Sequence, residues 1–264
     1  MKAIKEGKSM RIYCAQLYKL IRNPLFYAAM IVTALLCATK WLPGKYALTG
    51  ADVYYEIGEL LDLATVRKMI AILGAVPFAA NFADEWTSRI TVGCVSRCGV
   101  NRYAVSNVVI CFVSSLVTVF LGTMLYAVGL SFFKPVFVEV GNPLNLLGET
   151  LLRGGAPWVY IMYRLFVFAA SCAMWSVMGM MLTSFFPNKF VGICTPFVAS
   201  YVIERISMQF PPSFNLWYVS MGYLGWDNIW WQFIYSVALF AAIAVVCGVV
   251  FAIMVKRRVQ NEVV

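Results

Sequence analysis

YAVSNVVICFVSSLVTVFLGTMLYAVGLSFF, Tyr103 to Phe133, contains no Asp, Glu, Lys or Arg. A helix of about 20 such residues crosses the hydrocarbon core of a bilayer, and a soluble core needs no uncharged run of this length. The same holds from Ile206 to Met254 apart from Asp227. Across the 264 residues, 62% are hydrophobic and only 12% charged, about half the charge of a soluble domain. The class that follows is an all-α integral membrane protein, read as one domain over residues 1–264. The start of the chain has basic residues but no short apolar core ending in a small-residue cleavage site, so the first apolar segment, from Pro24, is expected to stay in place as a span.

Six transmembrane helices are expected: Leu25 to Trp41, Met69 to Ala83, Tyr103 to Leu130, Tyr160 to Phe186, Phe190 to Met208 and Ile229 to Val255. The second is short, about 22 Å at 1.5 Å per residue, and Arg67 and Lys68 at its start would have to snorkel or sit in a vestibule. The Pro187-Asn188 pair supplies the turn between the fourth and fifth. Basic residues orient the set. With both termini cytoplasmic, the inner segments hold 13 of the 21 basic residues and four of the 12 acidic ones, so that the whole formal charge of +9 lies inside. Topology thus accounts for the basic balance, and no nucleic-acid partner is needed. The eight cysteines fall in spans or inner segments, which leaves no disulfide framework outside. Cys94 and Cys98, one helical turn apart, read as small residues in a packed segment.

Between the spans, residues 9–23 show helical spacing, with Met10, Tyr13, Leu17, Leu20 and Ile21 on one face and Arg11, Ala15, Lys19 and Arg22 on the other. That pattern predicts an interfacial helix, apolar side in the acyl chains and Arg11, Lys19 and Arg22 toward anionic lipid headgroups. Pro24 then turns the chain into the first span. Trp41 to Thr65 is an outer segment with helical stretches. Residues 131–159 and 208–228 are outer loops, the second rich in Pro and Trp and irregular or re-entrant.

Catalysis finds no support. The Gly-Lys pairs at Gly7 and Gly44 lack the upstream glycine of a phosphate-cradling loop, and the absence of histidine excludes a Ser-His-Asp triad or a His-based zinc site. No enzyme activity and no cofactor are expected. Arg164, Glu204 and Arg205 sit near the outer ends of the fourth and fifth spans, where snorkelling is cheap, and no span has a mid-membrane acid to serve an ion-coupled carrier. A carrier, or a non-transporting scaffold or sensor, remains the alternative to a transport subunit driven by another protein.

The segment FADEWTSRITVGCVSRCGVNRY, Phe82 to Tyr103, combines acids, a tryptophan, arginines and a glycine turn. A force-receiving loop needs stiffness and complementary charge for a soluble partner, and this segment offers both. Together with KLIRNPLF, Lys19 to Phe26, and six spans, it resembles the permease subunits of ABC-2 type transporters, similar in architecture to type V ABC exporters. Glu85 matches the acid that closes the second span in that family, and Gly99 with Arg102 match the turn into the third. The Gly-Thr pair of the pattern falls on Arg89-Ile90 or Ile90-Thr91. The resemblance implies that residues 84–102 form a cytoplasmic coupling segment. Glu85, Trp86, Arg89, Arg97 and Arg102 would then contact an ATP-binding cassette ATPase subunit, two per complex, with a second permease subunit, identical or related, completing the assembly. It further implies a bacterial cytoplasmic membrane location and export of a peptide, antimicrobial, drug or lipid.

Overall fold

The computed structural model describes residues 14–39, 52–138, 152, 154–222, 224, 226 and 228–263. Among them every regular element is helical: α1 (Cys14–Arg22), α2 (Pro24–Ala38), α3 (Val53–Asp62), α4 (Ala64–Ala75), α5 (Asn81–Thr87), α6 (Ile90–Cys98), α7 (Val100–Ser131), α8 (Pro157–Thr183), α9 (Lys189–Ser207), a 3₁₀ turn at Pro212–Phe214, α10 (Leu216–Met221) and α11 (Ile229–Val263). Four of these, α7, α8, α9 and α11, are long and apolar enough to cross a membrane, and α1 with α2 makes a fifth if the bent pair is one span. They coincide within a few residues with the expected third to sixth spans, except that α11 continues well past Val255.

The second expected span is not one helix. α4 stops at Ala75, residues 76–80 form turns, and α5 restarts at Asn81. The break is local chemistry: Pro77 has no N–H to donate to the ladder, and its ring crowds the carbonyl four residues back. Of the first span, Pro24–Ala38 is helical, and its expected end at Trp41 lies outside the described residues. A bend of 58° separates α1 from α2. Asn23 makes the corner, its side chain accepting from the Leu25 amide at 3.0 Å, with Pro24 at the first helical position where it needs no donor.

α8 is the centre of the bundle and packs against α4, α7, α9, α10 and α11. Its buried positions include a run of small residues, Ala169, Ala170, Ser171, Ala173, Ser176 and Gly179, the kind that let helix backbones approach inside a bilayer. Ser176 meets Ser115 of α7 through their hydroxyls at 2.8 Å. Other buried hydroxyls return to their own helix, as Thr118 does to the Ser114 carbonyl at 2.7 Å and Thr123 to that of Val119 at 2.8 Å. These bonds keep the hydroxyls from facing lipid unpaired.

Beyond the end of α7, residues 132–138 run along the start of α3. Val53 and Tyr54 donate to the carbonyls of Pro135 and Val136 at 3.0 and 3.2 Å. Asp52 caps α3 through the Tyr55 amide and accepts from Val138, both at 2.9 Å. The expected helical stretch in the segment from Trp41 to Thr65 is therefore real and is stitched to the beginning of the 131–159 loop. The rest of that loop is mostly outside the described residues.

Candidate functional site

Two polar centres occupy opposite ends of the bundle. The first is built where α1, α5 and α7 meet. Glu85 on α5 is only 5% exposed, and its carboxylate accepts from Lys19 Nζ at 2.9 Å, Asn81 Nδ2 at 3.1 Å and Tyr103 Oη at 2.5 Å. Asn81 accepts a further bond from Lys19 and donates to Asn107 Oδ1 at 3.1 Å. Buried carboxylates are tolerated where donors replace the lost water, and this one has three. Its position follows from spacing: Asn81 and Glu85 lie one helical turn apart on α5, and Tyr103 and Asn107 one turn apart on α7.

This arrangement corrects two expectations. Glu85 does not face a soluble partner; it turns inward and anchors α5 to α1 and α7. Lys19 is not simply a headgroup contact, because its ammonium is committed to Glu85 and Asn81 although the side chain stays 53% exposed. Around it, Leu17, Tyr18, Ile21 and Arg22 are exposed and Leu20 is buried. Arg22 donates to Tyr18 Oη at 3.1 Å. Arg11 lies outside the described residues.

The other coupling-segment residues lie on or near the surface. Arg89 and Arg97 are exposed, Arg102 and Trp86 half-buried. Trp86 packs on Phe82 and under the Arg258 guanidinium of α11, 5.5 Å from its ring centre. Asp84 pairs with Lys189 of α9 at 2.6 Å, both largely in water. The short helix α5 is thus tied by named side chains to α1, α7, α9 and α11. The turns on either side of α6 use left-handed backbone: Gly99 with φ 83° and Arg89 with φ 58°. Glycine takes that conformation freely; for arginine it costs about 1–2 kcal/mol. Burial raises the Cys94 thiol above its ordinary range, and Glu85 adds to the shift.

The second centre joins α4, α8, α9 and α10. Arg67, 4% exposed, lies 3.6 Å from the Glu204 carboxylate and donates to Ser220 Oγ at 2.5 Å. Its guanidinium is stacked 4.0 Å from the Trp217 ring centre and 5.8 Å from that of Phe168. Two of its nitrogens, Nε and Nη1, are buried without an acceptor. Lys68, also buried, sits 4.1 Å over Tyr201. Arg67 and Lys68, expected to snorkel or sit in a vestibule, and Arg164 and Glu204, expected at snorkelling depth, are buried in protein, whereas Arg205 is exposed. The 208–228 loop explains part of this, since α10 folds back onto the bundle and lays Trp217 and Ser220 over Arg67. Sequence reading missed this centre; the Trp217 signal was assigned to the bilayer interface.

Comparison with known proteins finds nothing: no family model matches the chain, and neither a curated protein nor a solved structure matches it.

Proposed function

We propose that the chain is the membrane-spanning subunit of an ABC-2 type transporter that exports an amphipathic cargo using ATP hydrolysed by a separate subunit. The observation that carries this reading is α5 with α6: a short helical pair outside the long spans, locked by Glu85 to α1 and α7, with Arg89 and Arg97 exposed. A push on this pair reaches four helices, which is what force transmission requires. Exposed arginines offer an acidic partner surface complementary charge, which raises association rate and selectivity. Strain at Arg89 fits a site kept for contact rather than for stability. With the α5 end cytoplasmic, the basic surface also obeys the charge asymmetry of inner loops.

The test is purification of the tagged chain in mild detergent from its host, followed by mass spectrometry. An ATP-binding cassette subunit that co-purifies, and is lost in Arg89→Glu/Arg97→Glu while helicity and melting persist, supports the reading. Absence of such a subunit, or retention by the reversed-charge variant, overturns it. Orientation is checked in the same preparation: in a chain with single cysteines, Gly44→Cys reacts with an impermeant maleimide on intact cells, whereas Cys98 reacts only after the membrane is opened.

One observation favours a second reading, an ion-coupled carrier. Buried ionisable residues in membrane proteins mark ion paths, and Glu204 lies between Arg67 and Lys68. Transport that survives loss of ATP and collapses with an uncoupler would select the carrier.

A further inference from the structure

The two halves of α9 are held differently. In the first half Gly192 is pressed into the bundle: a methyl group there would come within 2.9 Å of Thr183 Cγ2 and 3.0 Å of the Ala79 carbonyl oxygen. Pro196 follows inside the helix. Having no N–H, it cannot bond the Gly192 carbonyl four residues back, and that oxygen is instead pressed against Gly179 of α8, where only a glycine fits. A groove of about 520 Å³ runs along α9 on both sides of Pro196, between Met178, Met181 and Leu182 of α8 and Val191, Cys194, Val198 and Val202 of α9. A second groove, of about 320 Å³, continues from Ile203 and Ile206 to Leu239 and Ile243 of α11.

The second half is tied down by Tyr201 under the Lys68 ammonium, by Ser207, which accepts from the Leu216 amide at 3.1 Å, and by Glu204 beside Arg67, the one tie whose cation has unused donors. Arg67 is incompletely satisfied, with the Glu204 carboxylate at 3.6 Å, beyond hydrogen-bond range, one bond to Ser220 and two buried nitrogens without acceptors. A buried guanidinium in that state is held by its surroundings and gains from any rearrangement that supplies water or a closer acceptor. Glu204 lies eight residues beyond Pro196, a lever of about 12 Å. A further bend of about 20° at the proline, an ordinary kink, carries it about 4 Å.

We propose that Pro196 is a hinge and the Arg67–Glu204 pair a latch, so that release of the latch swings the second half of α9 away from α4 while the first half stays clamped at Gly192. The swing opens the end of the bundle remote from α5 and reshapes the two grooves along α9. The device is a property of this chain and does not depend on what supplies the energy.

The test uses the full chain in lipid nanodiscs, its eight cysteines replaced, with spin labels at Thr65 of α4 and Val202 of α9, and separately at Thr65 and Phe190. All three positions are exposed. The parent chain gives one narrow distance distribution for each pair. Glu204→Gln adds a population about 3 Å longer, Val202 being six residues past the hinge, for the Thr65–Val202 pair only, and adding Pro196→Ala suppresses it. Arg67→Gln releases the same latch from α4 and replaces Glu204→Gln if that variant does not assemble. Unchanged distances in both variants, equal shifts in both label pairs, or a long population that survives Pro196→Ala overturns the proposal.

Discussion

Glu85 and Glu204 lie at opposite ends of the bundle, each buried beside a cation to nearly the same depth, yet the two sites are unlike. Glu85 has three donors and sits in a network that runs from α1 to Asn107. Glu204 has a distant guanidinium whose own donors are partly unused. A buried charge surrounded by fitted donors fixes geometry, because every displacement breaks several bonds at once. A buried pair with few bonds fixes little, since its desolvation cost is only partly returned. One end is built to move as a block, the other to give way.

The sharpest way to break this contrast is to remove each pair stepwise and follow thermal unfolding in one detergent. At the Arg67 end, Arg67→Met leaves Glu204 buried with only Lys68 nearby and costs about 3 kcal/mol or more. Adding Glu204→Leu recovers the loss, since an apolar pair of similar volume is neutral or stabilising by about 1–4 kcal/mol. At the Glu85 end, Glu85→Ala costs about 2–3 kcal/mol, because Tyr103 Oη and Asn81 Nδ2 lose a buried acceptor, while Lys19, half in water, rehydrates. No single apolar replacement of Lys19 recovers it. Recovery at both ends, or at neither, would dissolve the distinction. The smallest effect is at Asp84: Asp84→Asn removes an exposed ion pair with Lys189 and changes stability by less than about 1 kcal/mol, a difference that salt erases.

Legibility from sequence follows the same division. The long spans are readable because α7, α8, α9 and α11 are each built on a long apolar run whose few charges lie toward the helix ends, and no packing detail overrides a run of that length. The corner before α2 is readable from Asn23 and Pro24 alone. The α4–α5 break hinges on Pro77, which lies inside an apolar stretch and was outweighed by hydropathy. Glu85 stands out as a carboxylate in the right place, but its direction does not: Tyr103 and Lys19, which draw it inward, are 18 and 66 residues away in the chain. The Arg67 centre is harder still. Its oxygen partner Ser220 lies 153 residues away, on a loop whose composition reads as interfacial. Local chemistry fixes elements; pairing of charges across a bundle needs the fold.

The central place of α8 carries a consequence for biogenesis. Ribosomal synthesis delivers α8 before α9 and α11, which cover two of its sides. A newly inserted α8 therefore presents to lipid the faces that these helices later cover, with only earlier elements available to shield it. The Ser115–Ser176 contact with α7 needs neither of the later helices, so α7 and α8 can pair before α9 and α11 are made. Weakening that one contact should tell less in the finished protein than in the yield of protein that ever gets finished.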